Sequence, residues 1–129
     1  MCSLAQIEPD KGGIVGVGLL LLFNATRNTR YLNASLHIAR VLAATQSDGT
    51  SSAAPWPFRV NAKTGEYVNG HKNGNMAFIL KLFLELNRTG YPEFASSAMR
   101  LWAWMRDVQI PSASCGVISG DGVVLEDIR

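Results

Sequence analysis

Residues 14–45 read IVGVGLLLLFNATRNTRYLNASLHIARVLAAT, and they predict the unit from which the fold is built. An apolar run ends at Phe23, a polar segment covers residues 24–30, and apolar residues then resume at helical spacing as far as Leu42. Two apolar periodic segments joined by a short polar turn predict an αα-hairpin. The apolar run itself, residues 13–23, is too short to span a bilayer, and we interpret it as a buried helix.

The second half of the chain repeats this pattern 63 positions later, over residues 75–107. The aligned pairs are Asn24 with Asn87, Thr26 with Thr89, Tyr31 with Phe94, Ile38 with Leu101, and Val41 with Trp104. A single hairpin cannot bury its apolar face, so repeated hairpins predict units that stack on one another. We therefore predict an all-α fold of tandem αα-hairpins, with Trp102 and Met105 on the core-facing side of the last helix.

The hairpins are separated by a long loop, residues 46–74, that is rich in Gly, Ser, Pro, Asn and Thr. Two short β-like runs, residues 56–60 and 66–68, flank turn-forming residues and predict a β-hairpin within this loop. Long loops of this kind commonly carry function. The predicted organisation is one module, with a hairpin over 14–45, the loop over 46–74, a hairpin over 75–107 and an irregular tail over 108–129.

The composition limits the classes of partner that the chain is expected to bind. The chain has 129 residues, 47% hydrophobic and 17% charged, with a net charge of +2, which predicts one globular domain and no nucleic-acid partner. Cys2 and Cys115 lie near opposite ends in no metal-ligand spacing, so the sequence predicts neither a metal site nor a cofactor. The chain is also predicted not to span a membrane.

An apolar helix ending at Gln46, the turn Asp48-Gly49 and the loop segment Trp56-Pro57-Phe58-Arg59-Val60 resemble a hairpin of the α/α-toroid enzymes. Thr89-Gly90-Tyr91, followed by an aromatic-led helix, looks like the opening of the next hairpin in the same proteins. The resemblance is to the six-hairpin glycosidase-like superfamily and covers residues 14–107. Because a closed toroid has about six hairpins, it implies a partial, two-hairpin piece of that fold.

This superfamily includes glycoside hydrolases, polysaccharide lyases and sugar epimerases, and the resemblance implies a carbohydrate-active module with an oligo- or polysaccharide partner. Related toroids, the terpene cyclases and prenyltransferases, supply a third interpretation. They would need an aspartate-rich or metal-ligating motif, which this sequence does not show.

Saccharide recognition uses an aromatic face for the sugar ring and charged or amide groups for its hydroxyls. One loop contains such residues, and the predicted substrate-binding set is Trp56, Phe58, Arg59 and Asp48. The structural alternative has the tryptophan packing over helix ends, the Asp-Gly pair making a turn and the arginine capping helical carbonyls.

Glycoside hydrolysis needs two carboxylates facing one bond, and the candidates are Asp48 and Glu66. A lyase or epimerase instead needs a base, for which His71 or Tyr67 is the candidate, beside a carboxylate-binding arginine such as Arg59. The sequence does not decide between these reactions.

The competing hypothesis is a non-catalytic helical-repeat module that binds a protein through apolar faces left open at the ends of the stack. This hypothesis predicts exposed hydrophobic surface and self-association.

Overall fold

The chain is mostly helical, as the sequence predicts, and the computed structural model describes residues 6–69 and 76–113. The helices are α1 (Pro9–Thr26), α2 (Thr29–Thr45), α3 (Ala77–Arg88), α4 (Ala95–Trp104) and α5 (Ile110–Ala113), and the strands are β1 (Gln6–Ile7), β2 (Arg59–Asn61) and β3 (Tyr67–Asn69). A 3-10 turn, Pro92–Phe94, leads into α4, and a π-helical segment, Met105–Gln109, joins α4 to α5.

A two-residue turn makes α1 and α2 an antiparallel hairpin. Arg27 adopts the left-handed conformation, with φ at 57°, and its N–H donates to the Phe23 carbonyl at 2.7 Å. Asn28 then caps α2, because its side-chain oxygen accepts from the Arg30 N–H at 3.1 Å. A left-handed residue that ends one helix and an Asn that begins the next are the usual chemistry of such a turn.

The turn between α3 and α4 repeats this chemistry 63 residues later. Thr26 donates its hydroxyl to the carbonyl four residues earlier at 2.7 Å, and Thr89 does the same at 2.9 Å. Gly90, the counterpart of Arg27, also has a positive φ, at 113°. The two turns are therefore alike in the threonine hydrogen bond and in the residue with positive φ, as well as in sequence.

Close approach between α1 and α3 depends on two glycines. A Cβ placed on Gly13 would lie 2.7 Å from the Ile79 backbone nitrogen, and one on Gly16 would lie 2.6 Å from a Leu82 methyl. Gly13 faces Ile79 and Gly16 faces Leu82, so the contacts follow the same order along both helices. Helices α1 and α3 therefore run parallel. On the neighbouring side of α1, buried Ser35 of α2 donates to the Gly16 carbonyl at 2.9 Å.

The core lies between the two hairpins and the loop that joins them. Phe83 is at its centre, with its ring centroid 6.2 Å from that of Trp56 and 5.8 Å from that of Phe94, against which it stacks. The fully buried cluster also contains Met76, which directly precedes α3, together with Ile79, Leu82 and Leu86 of α3 and Leu101 of α4.

The three strands form a small antiparallel sheet in the order β1-β2-β3. Strand β1 pairs with β2 through Ile7 and Val60, and β2 pairs with β3 through Val60 and Tyr67, with an irregular register beside Arg59. The β2–β3 hairpin lies within the loop where the sequence predicts one. The pairing with β1 joins the start of the chain to that loop.

Four features differ from the sequence-based expectations. Helix α1 begins at Pro9, five residues before the predicted hairpin, because proline suits the first helical position. Helical backbone runs on as far as Ala113, into residues assigned to the irregular tail. Trp102, expected in the core, is 40% exposed, whereas Trp104 is buried. The fourth difference concerns α1, which is apolar throughout its middle but buried on only one side: Leu21 is 63% exposed.

Candidate functional site

The two ends of the packed helices differ in the turns, loops and strands that lie there. Of the residues that the structure describes, one end has the short turns at residues 27–28 and 89–91. The other end has the beginnings of α1 and α3, the end of α2, the loop that follows it and the three-stranded sheet. Binding residues concentrate on long loops held by a rigid scaffold, so the loop end is where a functional site is expected.

Asp48 and Gly49 attach the loop to α4 at this end. Arg100 of α4 donates to Asp48 Oδ1 from two nitrogens, at 2.7 and 3.0 Å. Gly49 has φ at +71°, and a Cβ there would lie 2.5 Å from the Trp104 ring, which leaves no room for a side chain. The Trp104 indole N–H also donates to the Thr50 carbonyl at 3.0 Å. These contacts tie the loop to α4.

Trp56 belongs to the core. Its side chain is 1% exposed, and its indole N–H donates to the Leu42 carbonyl at 3.0 Å. It therefore covers the last turn of α2, which is the structural alternative considered from the sequence. A ring buried to this degree presents no open face for a sugar to stack on.

Phe58 and Arg59 link the sheet to the start of α1. The Arg59 guanidinium lies 5.0 Å from the Phe58 ring centroid, and its Nε donates to Glu8 Oε1 at 2.9 Å. Both partners of this ion pair are partly buried. The arginine does not cap a helix, and its guanidinium is engaged by a carboxylate.

Glu66 lies in the β2–β3 turn, where it accepts a hydrogen bond from the Thr64 hydroxyl at 3.2 Å. Asp48 is held against α4, so the two carboxylates proposed as an acid and base contact different elements. Neither lines the groove described next. The third catalytic candidate, His71, lies outside the described residues.

A groove of about 620 Å³ lies between the sheet and α2, and we call it the sheet groove. Its walls are largely apolar, with Ile38, Val41 and Leu42 on α2 facing Ile7 and Val60 on the sheet. Polar groups also line it, and these are Glu8, His37, Thr45, Asn61 and Tyr67. A mostly apolar cleft with a few convergent polar groups is the usual form of a small-ligand site.

Tyr67 is the exposed aromatic of the sheet groove. Its side chain is 58% exposed, in contrast to the buried Trp56 on the opposite wall. Asn61 lies near it across the hairpin and holds the turn by accepting from the Lys63 N–H at 2.9 Å. The groove thus presents an aromatic face, an amide and a carboxylate, the last from Glu8.

Sequence reasoning missed Glu8, Asn61 and His37 as groove residues. Glu8 comes before the first helix, and only the β1–β2 pairing brings it to the loop. His37 is exposed and lies on the same side of α2 as Val41 and Thr45. The four-residue spacing of these three positions was the signal that could have identified that side.

Within residues 6–69 and 76–113, no group of three or more His, Cys, Asp or Glu side chains is arranged to hold a metal ion. None of the helices in that part of the chain is long and apolar enough to cross a membrane. No protein-family model, no curated protein and no solved structure matches the chain.

Proposed function

We propose that the chain is a carbohydrate-active module of the α/α-toroid type, and that it binds an oligo- or polysaccharide in the sheet groove. The proposal joins the resemblance of residues 14–107 to six-hairpin glycosidase-like proteins with one structural observation. That observation is an exposed Tyr67 in a groove whose polar groups include Glu8 and Asn61.

Each of these groups has a physical role in the proposal. The phenol ring offers an apolar face for the C–H side of a pyranose. The Asn61 amide N–H donates to the sugar hydroxyls, and the Glu8 carboxylate accepts from them. Arg59 holds the Glu8 carboxylate in place through the 2.9 Å ion pair. The binding surface therefore moves from the predicted Trp56 and Asp48 to Tyr67 and Glu8.

Among the described residues that line the groove, Glu8 is the one carboxylate. Hydrolysis by paired carboxylates needs two in one cleft, whereas proton abstraction beside a uronate needs a single base and a cation. Tyr67 and His37 are the groove groups with exchangeable protons suited to the second type of reaction. We assign saccharide binding to this groove. Its described lining contains the Glu8 carboxylate and no Lys or Arg, so it does not favour uronate-containing chains over neutral ones.

Titration calorimetry of the chain with uronate-containing and neutral oligosaccharides tests the proposal. Tyr67→Ala should weaken binding about 3- to 10-fold, the value of one aromatic contact, while Tyr67→Phe should retain most of it. Asp48→Ala is the matched control, because Asp48 is exposed at the same end but lies outside the groove. If Asp48→Ala lost binding and Tyr67→Ala retained it, the saccharide site would lie at Asp48 and not in the sheet groove.

A folded chain that binds none of the saccharides would refute the proposal. That result would favour the alternative function, a helical-repeat module that interacts with protein.

A further inference from the structure

A second cleft lies between α1 and α3, at the end of the helices that has the short turns. Its volume is about 400 Å³, and we call it the α1–α3 cleft. Leu20 of α1 lies in it one turn beyond Gly16, so the cleft begins where the close approach of the two helices ends. Leu32 and Tyr91, which pack against the core, line its turn end. The volume suits a small ligand, and none of the described lining residues is shared with the sheet groove.

The α1 wall of this cleft is apolar. Val17, Leu20 and Leu21 lie on one side of the helix, because residues three and four apart share a side. Val17 and Leu20 are buried, whereas Leu21 is 63% exposed and lies at the mouth of the cleft. From Val17 to Asn24, the last residue of this wall, the helix rises about 10 Å. The wall therefore suits an extended apolar chain of about that length.

The α3 wall is charged. Lys81, Glu85 and Arg88 follow one another at spacings of four and three residues, on one side of α3. Glu85 and Arg88 form an ion pair with each other at 2.7 Å. In the part of the chain that the structure describes, no ion pair or hydrogen bond engages the Lys81 ammonium. The lining thus has one positive charge in excess, and Lys81 supplies it.

The two clefts differ in the sign of their charge. The sheet groove has the Glu8 carboxylate and, among its described lining residues, no Lys or Arg. An anion is therefore disfavoured in the sheet groove and favoured beside Lys81. Because the excess is a single charge, a carboxylate matches it better than a phosphate monoester, which carries about −1.5 to −2 charges at pH 7.

We propose that the α1–α3 cleft binds a monocarboxylate with an apolar chain, of the chemical class of a medium-chain fatty acid. The chain lies along Val17, Leu20 and Leu21, and the carboxylate accepts hydrogen bonds from the Lys81 ammonium. The burial of the chain supplies most of the affinity, and the ion pair selects the anion. This site is separate from the sheet groove, so the inference does not rest on saccharide binding.

Titration calorimetry with octanoate, octanol and butyrate tests both parts of the ligand. Octanoate should bind as one molecule per chain. Octanol has the same apolar chain without the charge and should bind about 5-fold more weakly. Butyrate keeps the charge but lacks four methylenes, and it should bind at least about 100-fold more weakly. A folded chain that does not bind octanoate, or that binds octanol or butyrate as tightly, would overturn the proposal.

Charge variants test the role of Lys81. Lys81→Gln should weaken octanoate binding about 5-fold and leave octanol binding unchanged. Glu85→Gln should strengthen octanoate binding about 2- to 5-fold, because it removes a like charge and releases Arg88. A variant that merely disturbed the fold would not raise the affinity, so weaker binding by Glu85→Gln would contradict the proposal.

Lys63→Gln is the matched control for Lys81→Gln. It removes the same charge from an exposed lysine of the β2–β3 turn that lines neither cleft, and octanoate binding should be unchanged. Equal weakening by the two variants would show attraction to the overall positive charge of the chain and would overturn the site.

Nuclear magnetic resonance locates the ligand. Addition of octanoate to the labelled chain should shift the backbone amide signals of Leu20, Leu21 and Lys81, and leave those of Val60 and Tyr67 in the sheet groove in place. Shifts confined to the sheet groove would refute the proposal, whatever the outcome of the saccharide titrations.

Discussion

Gly13 and Gly18 form a matched pair that tests how closely α1 and α3 pack. Both lie within α1, and Gly→Ala is the same chemical change at each. At Gly13 the new Cβ would lie 2.7 Å from the Ile79 nitrogen, 2.8 Å from its Cγ1 and 3.0 Å from the Phe78 carbonyl carbon. At Gly18 it would meet nothing within 4 Å.

The expected free energies follow from these contacts. Alanine in a helix interior is more stable than glycine by about 1 kcal/mol, and this gain applies at both sites. At Gly13 two of the three nearest atoms are backbone, so the clash cannot be relieved by turning a side chain and α1 must move away from α3. Such overpacking costs about 1–3 kcal/mol. Gly18→Ala should therefore be stabilised by about 1 kcal/mol, and Gly13→Ala should lie about 1–3 kcal/mol below it.

Urea unfolding followed by circular dichroism, at concentrations where the chain is monomeric, measures the difference. Gly16→Ala should fall between the two variants, because its Cβ would meet the end of the Leu82 side chain rather than backbone. The slope of free energy against urea should be the same in all three variants, so that the midpoints report stability alone. Equal stabilisation at Gly13 and Gly18 would show that α1 does not approach the α3 backbone as described.

Two further predictions concern the α1–α2 turn and the surface pair between α2 and the segment before α4. Arg27→Gly should be more stable to urea than Arg27→Ala by about 0.5–1 kcal/mol, because glycine adopts the left-handed conformation without strain; the reverse order would contradict the positive φ of Arg27. A hydrogen bond from Arg40 lowers the pKa of Glu93 below its ordinary value of 4.5. The stabilisation from this pair is therefore complete above about pH 5 and is lost as the pH falls through the lowered pKa. Arg40→Gln should lose less stability than the wild type between about pH 5 and 3, and identical acid dependence of the two proteins would show that the pair is not formed.

The hairpins could be predicted from the sequence because their signals are local. Thr26 and Thr89 each donate a hydrogen bond within the last turn of their own helix, and the positive-φ residues 27 and 90 follow directly. Comparing positions 63 residues apart therefore identifies both turns. The predicted start of α1 is too late because it follows the start of the apolar run. The residues that signal the start of the helix are Pro9 and the acidic Asp10 in its first turn.

The site residues depend on contacts far apart in the sequence. Trp56 in a loop looks like a binding aromatic until the Leu42 carbonyl and the Phe83 ring are found around it. Trp104, rather than Trp102, is buried because its indole reaches Thr50, more than fifty residues away. Glu8 reaches the groove only through pairing of β1 with β2. No pattern within one helix or loop encodes these contacts.

The glycines of α1 differ in what their missing side chains allow. Pro9 and Gly12 line the sheet groove, and Gly13 and Gly16 admit α3. Four glycines in one helix would ordinarily weaken it. Gly13 and Gly16 offset that cost, because a Cβ on either would lie within 3 Å of an atom of α3. A Cβ on Gly12 would meet side chains of α2 only at 3.6 Å or more, and one on Gly18 would meet nothing within 4 Å, so these two positions should accept alanine.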